Sequence, residues 1–163
     1  MTAPGTTNAI DLLIQDHHVV EDLFVQFEKA GERAHKTKQH LVEKFSKELT
    51  VHTFIEETIF YPEARAAVPA TKDHVLESIE EHHVVVWMLS ELAGIDPADE
   101  RYDAKVTVLI ENVRHHVEEE EEEWFPQVRK AMKTEVLEEL GARLTAAKAE
   151  APSDPLAVPS ATA

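Results

Sequence analysis

The segment Ile14-Gln15-Asp16-His17-His18-Val19-Val20 returns as Ile79-Glu80-Glu81-His82-His83-Val84-Val85, and the pair His52-x-x-x-Glu56 returns as His116-x-x-x-Glu120. In each half the second motif runs into aromatic residues and a proline at one offset, Phe60-Tyr61-Pro62 and Trp124-Phe125-Pro126. The prolines fix the alignment of the copies, and the spacing between the two motifs agrees to within one residue. Two similar helical hairpins, each offering one His and one His-x-x-x-Glu pair, would meet as a four-helix bundle with two-fold pseudosymmetry. Such a bundle has room at its centre for two metal ions.

Composition agrees with an all-α fold. The chain has 163 residues and 43% hydrophobic content, enough for one domain with a real core. Glycine is scarce and long stretches are rich in Ala, Leu, Glu and Lys, all good helix formers. The formal net charge of −16 opposes binding to phosphate backbones and anionic membranes, so no nucleic acid partner is expected. Without cysteine there are no disulfides, thiolate nucleophiles or iron–sulfur clusters, and His and carboxylate remain as the strong metal ligands. Such ligands favour iron, manganese or zinc. Residues Met1 to Thr7 lack the basic and apolar regions of a signal peptide, and no apolar run approaches the roughly 20 residues of a membrane span. A cytoplasmic protein without a membrane partner is expected.

The first helix is predicted from an N-cap at Thr7 or Asn8 to near Gly31, with Ile10, Leu13, Ile14, Val20, Phe24 and Phe27 on one face. The second runs from an N-cap at Thr37 to Ala67, where Val68-Pro69 stops it. A third, capped by Thr71 or Asp73, turns Val75, Ile79, Val86 and Leu89 inward and ends at Gly94. After Ile95 to Asp99 the fourth turns Val106, Leu109, Val113 and Val117 inward and reaches Met132. Pro62 and Pro126 are expected to kink or break their helices. A short fifth helix, 134–149, carries Val136, Leu137, Leu140 and Leu144 on one side and packs across the bundle. The folded unit is thus 1–150, and 151–163, rich in Ala, Pro, Ser and Thr, is read as a disordered tail.

Helical periodicity puts His17 in the buried stripe of the first helix, and His52 with Glu56 in that of the second. The fourth helix offers two registers, His115 with Glu119 or His116 with Glu120. Only the second lies in line with Val113 and Val117 and matches His52 and Glu56 when the prolines are superposed. Periodicity hardly separates His82 from His83, and the repeat selects His82. Four inward imidazoles and two inward carboxylates cannot stay unpaired in an apolar core, because an uncompensated buried charge costs several kcal/mol. A pair of cations removes that cost. Carboxylates can bridge two ions while each imidazole gives one nitrogen, leaving positions open for oxygen, peroxide or nitric oxide.

The order Asp-His, His-x-x-x-Glu, Glu-His, His-x-x-x-Glu over residues 8–132 resembles the hemerythrin-like family of HHE cation-binding domains, the bacterial hemerythrin-like proteins in particular. The resemblance implies an up-down-up-down bundle holding a non-haem di-iron centre, two Fe ions bridged by the glutamates and by an oxo, hydroxo or water ligand. By motif it carries over His17, His52, Glu56, His82, His116 and Glu120 as metal ligands. Oxygen-carrying members have a further His one turn after the third-helix ligand, where this chain has Val86, and an Asp as the second bridge, where it has Glu120. One iron is then more open unless Glu81, His83 or Tyr61 fills the gap. That departure favours chemistry on a bound oxidant over reversible oxygen carriage.

A single His on an apolar face is more often a hydrogen-bonded core residue than a ligand, but duplicated pair spacing is hard to reach by chance. His18, His83 and His115 lie about 100° around their helices from the ligands and are read as outside the set. His35, His40 and His74 are read as surface residues, and Glu118 to Glu123, Glu120 excepted, as a solvated acidic face. Phe54, Phe60, Trp87, Trp124 and Phe125 are read as core. A ferritin-like bundle would show Glu-x-x-His motifs, with Glu first and spacing three, so it is the weaker alternative. The expected activity is catalase-like decomposition of hydrogen peroxide in oxidative-stress defence. The alternatives are binding or sensing of oxygen or nitric oxide, and iron storage.

Overall fold

The computed structural model describes residues 7–157. Four long antiparallel helical rods run up-down-up-down, and a fifth helix lies across one end. The first rod is α1 (Ala9–Lys29). The second comprises α2 (His35–Ile55), a π turn (Glu56–Phe60) and α3 (Tyr61–Ala67). The third is α4 (Lys72–Ala93), and the fourth is α5 (Tyr102–Glu119), a π turn (Glu120–Trp124) and α6 (Phe125–Ala131). The crossing helix is α7 (Thr134–Glu150). Among the described residues no helix is long and apolar enough to cross a membrane.

Asn8 caps α1, its side-chain oxygen accepting the Asp11 N–H at 3.0 Å, which satisfies one of the amides a helix start leaves unpaired. The second rod starts at His35, two residues before the expected Thr37 cap, and its N-cap position, Ala34, supplies no side-chain bond. Pro62 and Pro126 do not end their rods. Each lacks the N–H that an α-turn needs, and the π turn just before it shifts the bonding to five residues: the Tyr61 N–H reaches the Glu56 carbonyl and the Phe125 N–H reaches that of Glu120. The duplicated proline thus places a π turn at each motif glutamate.

Two apolar clusters stack along the bundle. One, with Phe24, Phe45, Leu89 and Leu109, fills the far end; the other, with Leu13, Phe60, Trp124 and Phe125, fills the end that α7 covers with Leu137, Leu140 and Leu144. The polar site lies between them. The inward stripe of α4 is turned by about one position from expectation, with Val85 buried and Val86 half-buried, because His82 takes the central place. Val136 is exposed rather than inward. Gly141 is where α7 meets the start of α1, and a Cβ there would lie 2.0 Å from the Thr7 carbonyl oxygen. Of the segment 151–163, residues 151–157 include a 3-10 turn, Pro155–Ala157, beside α4 and α2; residues 158–163 lie outside the described residues.

Candidate metal centre

All six motif side chains converge in the middle of the bundle, each less than a tenth exposed, and both glutamates fully buried. They form two groups, His17, His52, Glu56 and Glu120, and Glu56, His82, His116 and Glu120, whose donor atoms within each group lie within 4.8 Å of one another. The Nε2 atoms of His17 and His52 are 3.2 Å apart, and those of His82 and His116 are 3.1 Å apart. Each glutamate faces both groups. Glu56 Oε1 is 3.0 Å from His52 Nε2 and its Oε2 is 3.2 Å from His82 Nε2. Glu120 Oε2 is 3.3 Å from His17 Nε2 and its Oε1 is 3.1 Å from His116 Nε2.

The outer ring nitrogens explain why every Nε2 points inward. His52 Nδ1 meets Asp16 at 3.0 Å, His116 Nδ1 meets Glu81 at 3.3 Å, His82 Nδ1 meets Glu57 at 3.0 Å and His17 Nδ1 meets Glu121 at 2.7 Å. A carboxylate there takes the ring N–H and leaves Nε2 as a lone-pair donor, the usual support of a metal-bound imidazole. The pattern is two-fold: the acid before one half's first His serves that half's second His, and the acid after one half's Glu serves the other half's first His. Sequence reasoning did not assign Asp16 and Glu57 and placed Glu121 on a solvated face. The signal lay in the repeat, since Asp16 aligns with Glu81 and Glu57 with Glu121.

Of the three residues considered for the gap in the second half, Tyr61 is the one inside. Its hydroxyl donates to Glu120 Oε1 at 2.5 Å and lies 3.2 Å from Glu56 Oε2, 3.1 Å from His82 Nε2 and 3.4 Å from His116 Nε2. Glu81 stands behind His116, and His83 turns outward to Glu80. The π turn makes Tyr61 reachable, because a residue five after Glu56 shares its face there. The matching residue in the other half is Phe125, which stacks on His17 with ring centroids 6.0 Å apart. Phe60, Trp124 and Phe125 close this end, with Trp124 Nε1 donating to Thr71 Oγ1 at 3.1 Å. Trp87, read as core, is 60% exposed. His18, His35, His40 and His115 are exposed, and none of them joins the six.

Burial disfavours charge on these groups, yet their mutual attraction wins. Against burial, Glu56 and Asp16 raise the His52 pKa to about 10, and Glu120, Glu81 and Glu56 hold His116 well above the usual range. Glu120, despite burial, is held well below the usual carboxylate range by His116 and His17. Burial together with Glu120 and Glu56 pushes the Tyr61 hydroxyl up, so it stays protonated. Protons thus neutralise the cluster when nothing else does, with His52 Nε2 facing Glu56 Oε1 and His17 Nε2 facing Glu120 Oε2. Four imidazole nitrogens and two anionic carboxylates, buried together, are a donor set that fits divalent or trivalent cations.

A sequence model of the hemerythrin HHE cation-binding domain matches residues 8–128. A crystal structure of a hemerythrin HHE cation-binding domain-containing protein from Mycobacterium kansasii superposes with a TM-score of 0.75 at 24% identity, covering 88% of this chain and 86% of that one. A Nostoc protein named as a DNA nickase is 25% identical over 143 residues, which is 88% of this chain but 40% of that protein. The chain therefore spans less than half of that relative.

Proposed function

The chain belongs to the hemerythrin HHE cation-binding family, and from that premise we propose that it holds two iron ions and decomposes hydrogen peroxide in a catalase-like reaction. His17 and His52 would hold one ion and His82 and His116 the other, with Glu56 and Glu120, which face both groups, available to each. Tyr61, whose hydroxyl lies among His82, His116 and both glutamates, would supply a further oxygen in the second half, where the resemblance left a ligand missing. When bound, the iron pair supplies the two-electron chemistry by which one peroxide is reduced to water while a second is oxidised to dioxygen.

The observation that carries this reading is a cavity of about 20 Å³ against all four histidines, lined by Val20, Leu49, Thr53, Val85, Val113 and Val117. It has room for about one water-sized molecule, which suits peroxide or a diatomic and excludes organic substrates. The protein's own groups orient and protect. The four outer carboxylates fix the imidazoles, the aromatic end keeps water away, and the Tyr61 hydroxyl holds its proton and donates it in a hydrogen bond to Glu120 Oε1. Protection against oxidative stress in the cytoplasm follows from that chemistry as part of the proposal. The net charge of −16 opposes approach to a phosphate backbone, so nicking is not proposed for this chain.

Oxygen or nitric oxide binding is the second reading, because the cavity walls are apolar. Dioxygen release from peroxide by iron-loaded protein, followed with an oxygen electrode, separates them. Sustained release at an unchanged iron content supports the first. A stable oxygen adduct with no release from peroxide would replace it with the second.

A further inference from the structure

Outside the cavity, the seam between α1 and α5 carries a groove of about 200 Å³. The groove and the inner cavity share His17, Val20, Val113 and Val117, so one layer of side chains separates bulk solvent from the site. Val20 and Val113 are 4% and 5% exposed, whereas Val117 is half-buried and forms the thin part of the wall. Resting on the reading above, we propose that the small ligand enters and leaves between α1 and α5, with Val117 as the gate.

The other directions are filled. Phe60, Tyr61, Trp124 and Phe125, each no more than 1% exposed, close one end, and Phe24, Phe45, Leu89 and Leu109 close the other. The repeat supplies an internal comparison, because α2 and α4 form the matching seam. There Thr53 stands where Val117 does and Thr50 where Arg114 does. Thr50 is fully buried and Thr53 is 4% exposed, their hydroxyls bonded to the Ser46 and Thr50 carbonyls. That seam is sealed by side chains with no freedom to swing out. A valine at a half-buried position hops between rotamers on a fast timescale and can open transiently.

Two features qualify what passes. Arg114 on α5 spans the groove to α1, its guanidinium bonding Glu21 at 2.7 and 3.0 Å and Glu28 at 2.8 and 3.0 Å. It clasps the two helices together over the mouth. With that cation engaged by two carboxylates, Glu118, Glu121 and Glu122 leave the lining negative. Uncharged molecules such as peroxide, dioxygen and nitric oxide are admitted, and small anions are repelled.

Nitric oxide association with the ferrous protein, followed by stopped flow, tests the route without requiring peroxide turnover. Val117→Phe should slow association by roughly tenfold, because binding must then wait for a larger displacement, at unchanged iron content and melting temperature. Val117→Ala and Arg114→Ala should speed it, while Thr50→Ala, at the matching seam, should leave it unchanged. Azide association should rise as salt screens the groove, and that of nitric oxide should not. If Val117→Phe fails to fold, the two accelerating variants decide. In metal-free protein, access of dissolved dioxygen to the cavity, followed by NMR through paramagnetic relaxation of the lining Val85 and Val113 methyls, should follow the same order of variants. Rates indifferent to Val117→Ala and Arg114→Ala, or equally raised by Thr50→Ala, would overturn the route. A protein without peroxide turnover whose nitric oxide kinetics still track Val117 keeps the route and loses the catalase reading.

Discussion

Asp16 and Glu81 hold matching places in the two halves, each bonded to Nδ1 of the second histidine of its own half, yet their surroundings differ. Asp16 is buried and also bonds Lys148 of α7, which with the bond from His52 lowers its pKa against the effect of burial. Glu81 is half-buried, and it bonds His116 alongside the exposed His115 and its partner Glu119. The inner faces repeat the contrast in another form, with Phe125 against His17 in one half and Tyr61 against His82 in the other. The duplication therefore fixes the donors that face the centre. What lies one layer further out has diverged: α7 reaches Asp16 and Phe125 stacks on His17 in one group, whereas in the other Glu81 is half-buried and the Tyr61 oxygen enters the site.

The strongest way to break this comparison is to remove what both halves share. Stripping iron should leave both groups of donors held by protons alone, lowering stability by about 4 kcal/mol relative to protein with iron at a thousandfold its dissociation constant. Melting followed by calorimetry should show the drop and its recovery on reloading. Identical melting of both forms would contradict a central buried metal site.

Gly141→Ala attacks the cover of the first half alone. The added Cβ meets the Thr7 backbone, which cannot swing aside, so a loss of about 1–3 kcal/mol in denaturant unfolding is expected. Iron content should stay unchanged, because the donors lie on other helices. Iron loss in proportion to destabilisation would mean that α7 holds the site together.

Tyr61→Phe makes the second half resemble the first. The lost hydrogen bond to Glu120 should cost about 1 kcal/mol, iron content should persist, and the visible spectrum of the ferric protein should lose any phenolate-to-iron absorption. A spectrum identical to wild type would remove Tyr61 from the donors.

The pH dependence of the metal-free protein tests the protons that hold the donors when no iron does. His52 is raised from 6.5 to about 10, so its contribution is complete below pH 6.5 and is lost as pH rises through 10. The melting temperature of metal-free protein should fall across that window, while iron affinity rises as the imidazoles lose their protons. A melting temperature that climbs with pH over this range would contradict the assigned proton on His52.

Much of this was legible in the sequence because two periodicities coincide. The helical period turns His17 and His52 toward the apolar stripe, and the repeat resolves what period alone leaves open, His82 against His83 and His116 against His115. The π turns were not legible, since a proline signals lost bonding but not whether the helix bends or slips to a wider turn. Tyr61 was therefore one of three equal choices for the gap. Glu57 and Glu121 were hidden for a different reason: their partners are on other helices, and an acid within a run of acids looks like solvated surface until its neighbour across the bundle is known.

The central claim is that the repeated donors form two holding places with shared glutamates. Iron per chain, determined by elemental analysis of wild type, His52→Ala, His116→Ala and His115→Ala, tests it most directly. Wild type and His115→Ala should carry about two irons and each of the other two variants about one, each imidazole lost weakening one holding place. Full occupancy in both His52→Ala and His116→Ala, or a wild type that takes up no more than one iron, would contradict the account.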